Sequence, residues 1–201
     1  ARLNVNSAGM GHTPLDLASG NGDLEMVELL VNRGADINNS RPLYLASENG
    51  HLPVVQHLVE NGTSQLNQRF GILSPETPLD AAVYFALDSY EHFDIVKYLV
   101  DNGAEIDART LNKIGHFELN SPSPGREIAK FLMRKGIEND FNVRIEELSS
   151  EPLKELYIKS FNFPKLVGTD IPKEMSKFGG GKKKKQTQRK KIRKNISYKK
   201  T

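Results

Sequence analysis

Apolar residues recur at three- and four-residue spacing in two separated stretches of the chain: Leu24, Val27, Leu30 and Val31, then Phe93, Val96 and Val100 with Ile95 and Leu99 beside them. That is the period of an α-helix burying one stripe. Each of these helices, and a third between them, runs into a glycine: Gly34, Gly62 and Gly103. Glycine reaches the left-handed backbone region without a Cβ clash, so these positions predict helix ends. Ala35-Asp36-Ile37-Asn38 and Ala104-Glu105-Ile106-Asp107 follow two of them and predict the start of an outward hairpin. Their chemistry is backbone geometry rather than catalysis.

A second pattern precedes each helix. Thr13-Pro14-Leu15-Asp16-Leu17-Ala18, Arg41-Pro42-Leu43-Tyr44-Leu45-Ala46 and Thr77-Pro78-Leu79-Asp80-Ala81-Ala82 are three versions of one start signal. A threonine hydroxyl caps the first free N–H groups, and proline in the first helical position gives up no hydrogen bond. The unit is therefore helix, turn, helix, hairpin, and it resembles the ankyrin repeat. The resemblance implies an all-α fold, a solenoid of stacked helix-turn-helix units with short hairpin loops. It covers residues 3–107 well and 108–136 poorly.

The terminal glycines lie 28, 41 and 33 residues apart, at 34, 62, 103 and 136, against a period of about 33 for this repeat. Units are expected at about 11–38, 39–67 and 68–107, with a degenerate fourth at 108–136. In that fourth unit Glu127 to Gly136 matches a second helix, with Gly136 as its terminal glycine. The short interval leaves no room for a hairpin finger at Asn38-Asn39-Ser40-Arg41, so the stack should be bare there. The long one holds two insertions, one before Thr77 and one between Ala82 and Phe93. The opening Leu3-Asn4-Val5-Asn6 matches a segment that follows a second helix, which leads us to expect repeats upstream of Ala1.

Proteins of this family grip other proteins through hairpin tips and the exposed face of the first helices. Carried onto this chain, that surface comprises Met10, His12, Gly20, Asn21, Arg33, Glu48, Asn49 and Asn61. Insertions in a solenoid map to exposed loops, often on the binding face. They add Arg69, Phe70 and Ile72 from the first insertion, and Asp88 and Tyr90 from the second. Two outcomes stay open for the first: Phe70, Ile72 and Leu73 either anchor a partner or fold back over the helix pair. Tyr84 and Phe85 are expected in the core. Asp16, Tyr44 and Asp80 stand where the family often has histidine, which puts its usual inter-repeat hydrogen bonding in question.

Charge divides the chain. Residues 182–201 hold 11 Lys and Arg and no acid, leaving 17 basic and 25 acidic residues before them, net −8. Residues 1–107 carry 5 basic and 15 acidic residues, net −10, so repeats and tail call for different partners. The tail, Gly179-Gly180-Gly181 followed by Lys182, Lys183, Lys184 and Lys185 and then Arg189, Lys190, Lys191, Arg193 and Lys194, is too charged and too poor in apolar residues to fold alone. Two basic clusters suit a nuclear import receptor or sequence-blind contact with nucleic acid. The ending also resembles C-termini of giant DNA virus proteins, which would place the protein in a host cell.

Between stack and tail, residues 137–178 carry no repeat signature. Phe141, Val143, Ile145, Leu148, Leu153, Leu156, Tyr157, Phe161 and Phe163 supply apolar material for a helical cap over the open end of the stack. Glu151 to Ile158 also faintly resembles the C-terminal box linking some ankyrin proteins to ubiquitin ligases, without its cysteine. The chain has no Cys at all, which removes disulfides and thiolate chemistry and fits a reducing compartment, cytoplasmic or nuclear. The longest apolar run, Ala81 to Leu87, falls short of the roughly 18 residues of a membrane span, so no membrane partner is expected. His12, His51, His57, His92 and His116 contain no i,i+4 pair, and no phosphate-loop or nucleophile-elbow pattern occurs. Neither metal nor cofactor is expected, and no enzyme activity. The reading is of a monomeric, non-catalytic protein-binding scaffold with a basic tail. Its alternatives are a ubiquitin-ligase adaptor acting through residues 145–178 and a nucleic-acid-associated protein acting through the tail.

Overall fold

The structure is a computed structural model that describes residues 5–9, 11–86, 90–115, 124–138, 143 and 145–160. The described residues are all-α, with isolated two-residue bridges in place of strands. The chain divides into two compact units, Ala1–Glu105 and Ile106–Thr201.

The first unit holds three helix pairs: α1 (Pro14–Asn21) with α2 (Leu24–Asn32), α3 (Pro42–Glu48) with α4 (Leu52–Glu60), and α5 (Pro78–Phe85) with α6 (Tyr90–Asp101). First helices pack in one layer, α1 on α3 and α3 on α5, and second helices in another, α2 on α4 and α4 on α6. The core between them is built from equivalent residues of successive repeats. Leu15, Leu43 and Leu79 are buried in the first-helix layer, and Val27, Val55 and Val96 in the second.

Local signals start and stop these helices as the sequence requires. Thr13 Oγ1 accepts from Asp16 N at 3.2 Å while Asp16 Oδ2 accepts from Thr13 N at 2.9 Å. Thr77 and Asp80 repeat this reciprocal cap at 3.0 Å in both directions. Each pair satisfies two N–H groups that the helix itself cannot. Gly34, Gly62 and Gly103 have φ of 85°, 81° and 98°, and close the second helices in the left-handed conformation.

Arg41 makes no side-chain cap. Its N–H donates instead to Asp16 Oδ1 of the preceding repeat at 3.0 Å, and Ser40 Oγ donates to Asp16 Oδ2. The question raised by the missing histidine is thereby answered: a buried aspartate makes the inter-repeat hydrogen bonds itself. The short link at 38–40 is tied down on its other side too, with Ser64 N donating to Asn38 Oδ1 at 2.8 Å and Gln65 Nε2 to Ser40 O at 2.6 Å. Asn6 and Asn67 stand at positions equivalent to Asn38 and accept from Asp36 N and Glu105 N, each at 2.8 Å. One asparagine per repeat thus ties each connection to the next.

In the second unit, α7 (Ala108–Ile114), α8 (Pro124–Glu138) and α9 (Glu151–Ser160) pack on one another. Asp107 Oδ1 caps α7 by accepting from Arg109 N and Thr110 N at 2.9 and 3.0 Å. Leu111, Ile114, Ile128, Leu132, Met133 and Leu153 form its core. Asn112 holds the approach to α9, donating to Glu147 O and accepting from Ser149 N, both at 2.7 Å, and Tyr157 OH donates to Val143 O at 2.7 Å.

Two expectations are corrected. Gly136 does not end its helix: α8 runs on to Glu138 with Gly136 buried inside it, because a glycine adopts the right-handed helical conformation where packing closes over it. Tyr84 and Phe85 are not core residues, being 52 % and 38 % exposed. Pro78 to Val83 are buried on every side of α5, Ala81 included, although it shares a face with the two aromatics. Within the helix, cover ends with that stretch, and the last turn, Tyr84 and Phe85, is left in water.

Candidate functional site

The exposed ends of the first helices recur from repeat to repeat. Gly20, Glu48 and Tyr84 are equivalent in the three repeats, as are Asn21, Asn49 and Phe85, so each helix offers its last turn to one continuous face. Gly20 lies where α1 meets α3, its Cβ direction 3.7 Å from Leu45 Cβ. Asn21 is exposed at the end of α1, and Asn49 Nδ2 donates to Leu45 O at 2.8 Å, closing α3. Asn61 does the same for α4, donating to His57 O at 2.8 Å, and Arg33 is exposed at the end of α2.

Two fingers project from this face. The first is a tight turn in which Gly9 and His12 exchange backbone hydrogen bonds of 2.9 and 3.1 Å, with His12 half-buried. In the second, Phe70 and Glu76 exchange two bonds of 2.8 Å, and Gly71 turns the chain with φ 111°. Its tip carries Ile72 at 98 % and Leu73 at 99 % exposure. These two side chains do not fold back over the helix pair. Phe70 does turn inward, to the Tyr44 ring at 5.7 Å between centroids. Arg69 is committed as well, its Nη1 donating to Asp80 Oδ2 at 3.3 Å and Pro75 O at 3.2 Å.

Tyr44 joins finger to helix face. Its hydroxyl donates to Glu48 Oε1 at 3.4 Å. Burial first, then the nearby carboxylates of Glu48 and Glu76, push its phenol up to about 12. Beyond Glu48, His92 Nε2 lies 3.0 Å from the Glu48 carbonyl, the His92 ring lies 5.6 Å from that of Phe85, and Phe85 meets Tyr84 edge-on at 5.1 Å. His51 bonds the Gly20 carbonyl in the preceding repeat at the same 3.0 Å. The two histidines are thus inter-repeat struts. Among the described residues no group of three or more His, Cys, Asp or Glu is placed to hold a metal ion, and no helix is long and apolar enough to cross a membrane.

A model of three ankyrin repeats matches residues 38–110, and a single-repeat model matches residues 10–41. The chain belongs to the ankyrin-repeat family. The two matches together run from residue 10 to residue 110, half of the 201 residues. No curated protein matches it. Ankyrin repeats are protein-interaction modules.

Of the residues expected on the ankyrin surface, the structure brings Glu48 and Phe70 together around Tyr44 and sets Ile72 at a finger tip. Met10, Asp88, the side chain of Tyr90 and all nine tail positions from Lys182 to Lys194 lie outside the described residues. Sequence reasoning passed over Tyr44, Tyr84 and Phe85 as surface residues. One signal was present, for Tyr84: its position carries Gly20 and Glu48 in the other repeats.

Proposed function

We propose that this ankyrin stack is a non-catalytic scaffold that holds a partner protein on its fingers and first-helix face. The carrying observation is the finger tip, where Ile72 and Leu73 stand almost fully in water at the end of a hydrogen-bonded hairpin. Exposing two adjacent branched aliphatics gives the folded chain nothing, while covering them against a partner removes apolar area from water. The lysine-rich tail acts separately, through its positive charge, on an import receptor or a polyanion. Its support is compositional: 11 basic residues and no acid from residue 182 onward.

The test is to capture binding proteins with the intact chain, with the double variant Ile72→Ser/Leu73→Ser, and with a chain lacking residues 179–201. The scaffold reading expects the double variant to lose its partner with an unchanged melting temperature. It expects tail removal to leave that partner bound and to change only nuclear enrichment or polyanion contact. Retention of every bound protein by the double variant would refute it.

A further inference from the structure

Resting on that scaffold reading, we infer that the surface running from the 70–76 finger to the end of α5 takes a basic segment of a partner protein, one with Arg or Lys set beside apolar side chains. The surface is a connected row. It starts at Ile72 and Leu73, passes through Phe70 to Tyr44 and Glu48, and reaches Phe85 and Tyr84 by way of His92.

Three features select the occupant. Apolar anchors are present at both ends, with Ile72 and Leu73 at the finger tip and Tyr84 52 % exposed at the last turn of α5. Exposed aromatics beside aliphatics are the side chains that carry most binding energy when a partner seals them from water. Next, the aromatic faces and the carboxylates favour the same sign of guest. A guanidinium or ammonium group lies well over a tyrosine or phenylalanine ring, and Arg pairs with carboxylate oxygens through two parallel N–H bonds. Glu48 Oε1 accepts from the Tyr44 hydroxyl at 3.4 Å, and Glu76 pairs with Phe70 across the finger at 2.8 Å, so two glutamates sit at the middle of the row.

Third, little positive charge opposes them. Residues 1–107 hold 5 basic against 15 acidic residues. Arg69 is engaged by Asp80, and Lys97 pairs with Asp94 on α6, in the other layer. Arg41 is the cation that acts on Tyr44, and it works against the two glutamates there. A net charge of −10 over the repeats speeds the approach of a basic segment and repels an acidic one, while the apolar contacts set how long it stays.

The experiment uses the full chain with labelled Ile and Leu methyls and labelled Tyr rings. Two synthetic peptide pools share the same leucine and phenylalanine positions, one filled in with arginine and the other with glutamate. Only the signals of Ile72, Leu73, Tyr44 and Tyr84 are read, so a glutamate peptide held by the lysine-rich tail leaves no trace. The arginine pool is expected to move those signals, and the glutamate pool is not. Ile72→Ser/Leu73→Ser, and separately Tyr84→Ala, should each weaken binding by about tenfold or more. Glu48→Gln with Glu76→Gln should reduce the salt dependence and the on-rate. Equal response to both pools, or binding of the arginine pool that ignores all these changes, overturns the inference. If neither pool binds but the intact chain still captures a protein that the finger variant loses, the basic-segment inference falls and the scaffold stands. If neither pool binds and the finger variant changes nothing, both fall.

Discussion

His51 stacks its ring against Gly22 so closely that a Cβ built on Gly22 would lie 2.5 Å from the ring Nδ1. The same ring holds the Gly20 carbonyl through Nε2 at 3.0 Å. Gly50 and His92 repeat the arrangement one repeat later, with a Cβ at Gly50 falling 2.9 Å from the ring. Glycine at the end of the first helix therefore serves twice: it takes a φ of 74° at Gly22 and 83° at Gly50, and it leaves room for the histidine of the following repeat.

That double role predicts an order of stabilities. Gly34 has φ 85° and nothing near its Cβ direction, so Gly34→Ala should cost only the left-handed strain, about 1–2 kcal/mol. Gly22→Ala should cost more, because it displaces the His51 ring and its hydrogen bond, adding roughly 1 kcal/mol. In a His51→Ala background the excess should vanish. Urea unfolding of the three single variants and the double variant measures this, and an excess that survives removal of the ring would show the strut to be incidental.

Asp16 accepts from Thr13 N, Arg41 N and Ser40 Oγ while fully buried. Asp16→Ala leaves these donors without their acceptor in a dry site and is expected to cost about 2–4 kcal/mol. Thr13→Ala removes a single cap contact and should cost about 1 kcal/mol. A denaturant series in which the two substitutions cost the same would contradict the inter-repeat role of Asp16.

Equivalent side chains need not contribute equally. Met26, Val54 and Ile95 share one position in successive repeats, yet Met26 is 42 % exposed while Val54 and Ile95 are buried completely. Ile95→Ala should cost about 2–5 kcal/mol through lost burial and the cavity it leaves. Met26→Ala should cost under about 1 kcal/mol, since much of its side chain is already in water. Comparing the unfolding midpoints of the two variants decides it.

High pH should loosen both units. The Tyr44 and Tyr157 phenols are pushed from 10.0 up to about 12, first by burial and then by carboxylates, Glu48 and Glu76 for Tyr44, Glu146 and Glu147 for Tyr157. Between those values the folded chain keeps protons that the unfolded chain has released, so stability is complete below pH 10 and falls as pH rises toward 12. Tyr44→Phe should flatten the decline in the first unit and Tyr157→Phe in the second. Unfolding curves across this range, with phenolate absorbance followed in parallel, provide the check, and an undiminished decline in both variants would point to other groups.

The repeat architecture was legible because its determinants are local. A threonine, a proline and an aspartate within four residues close a reciprocal cap by themselves, and a glycine ends a helix by its own backbone freedom. Leucine and valine spacing gives the inward side of each second helix but not its depth: of Leu24, Val27, Leu30 and Val31 only Val27 is buried, whereas Ile95, Val96, Leu99 and Val100 of α6 all are. Partnership between repeats was not legible in the same way. Asp16 with Arg41 and His92 with Glu48 are 25 and 44 residues apart in sequence, and only the stacking of α1 on α3 and α3 on α5 brings them into register. Tyr84 and Phe85 lie in an apolar run that reads as core, and the surrounding elements cover Pro78 to Val83 while leaving the last turn of α5 in water. What the sequence alone determined was each repeat's own shape, because caps, turns and stripes are decided within a few residues. What the tertiary structure decided was which side chains are left in water, because that depends on what the neighbouring repeat covers.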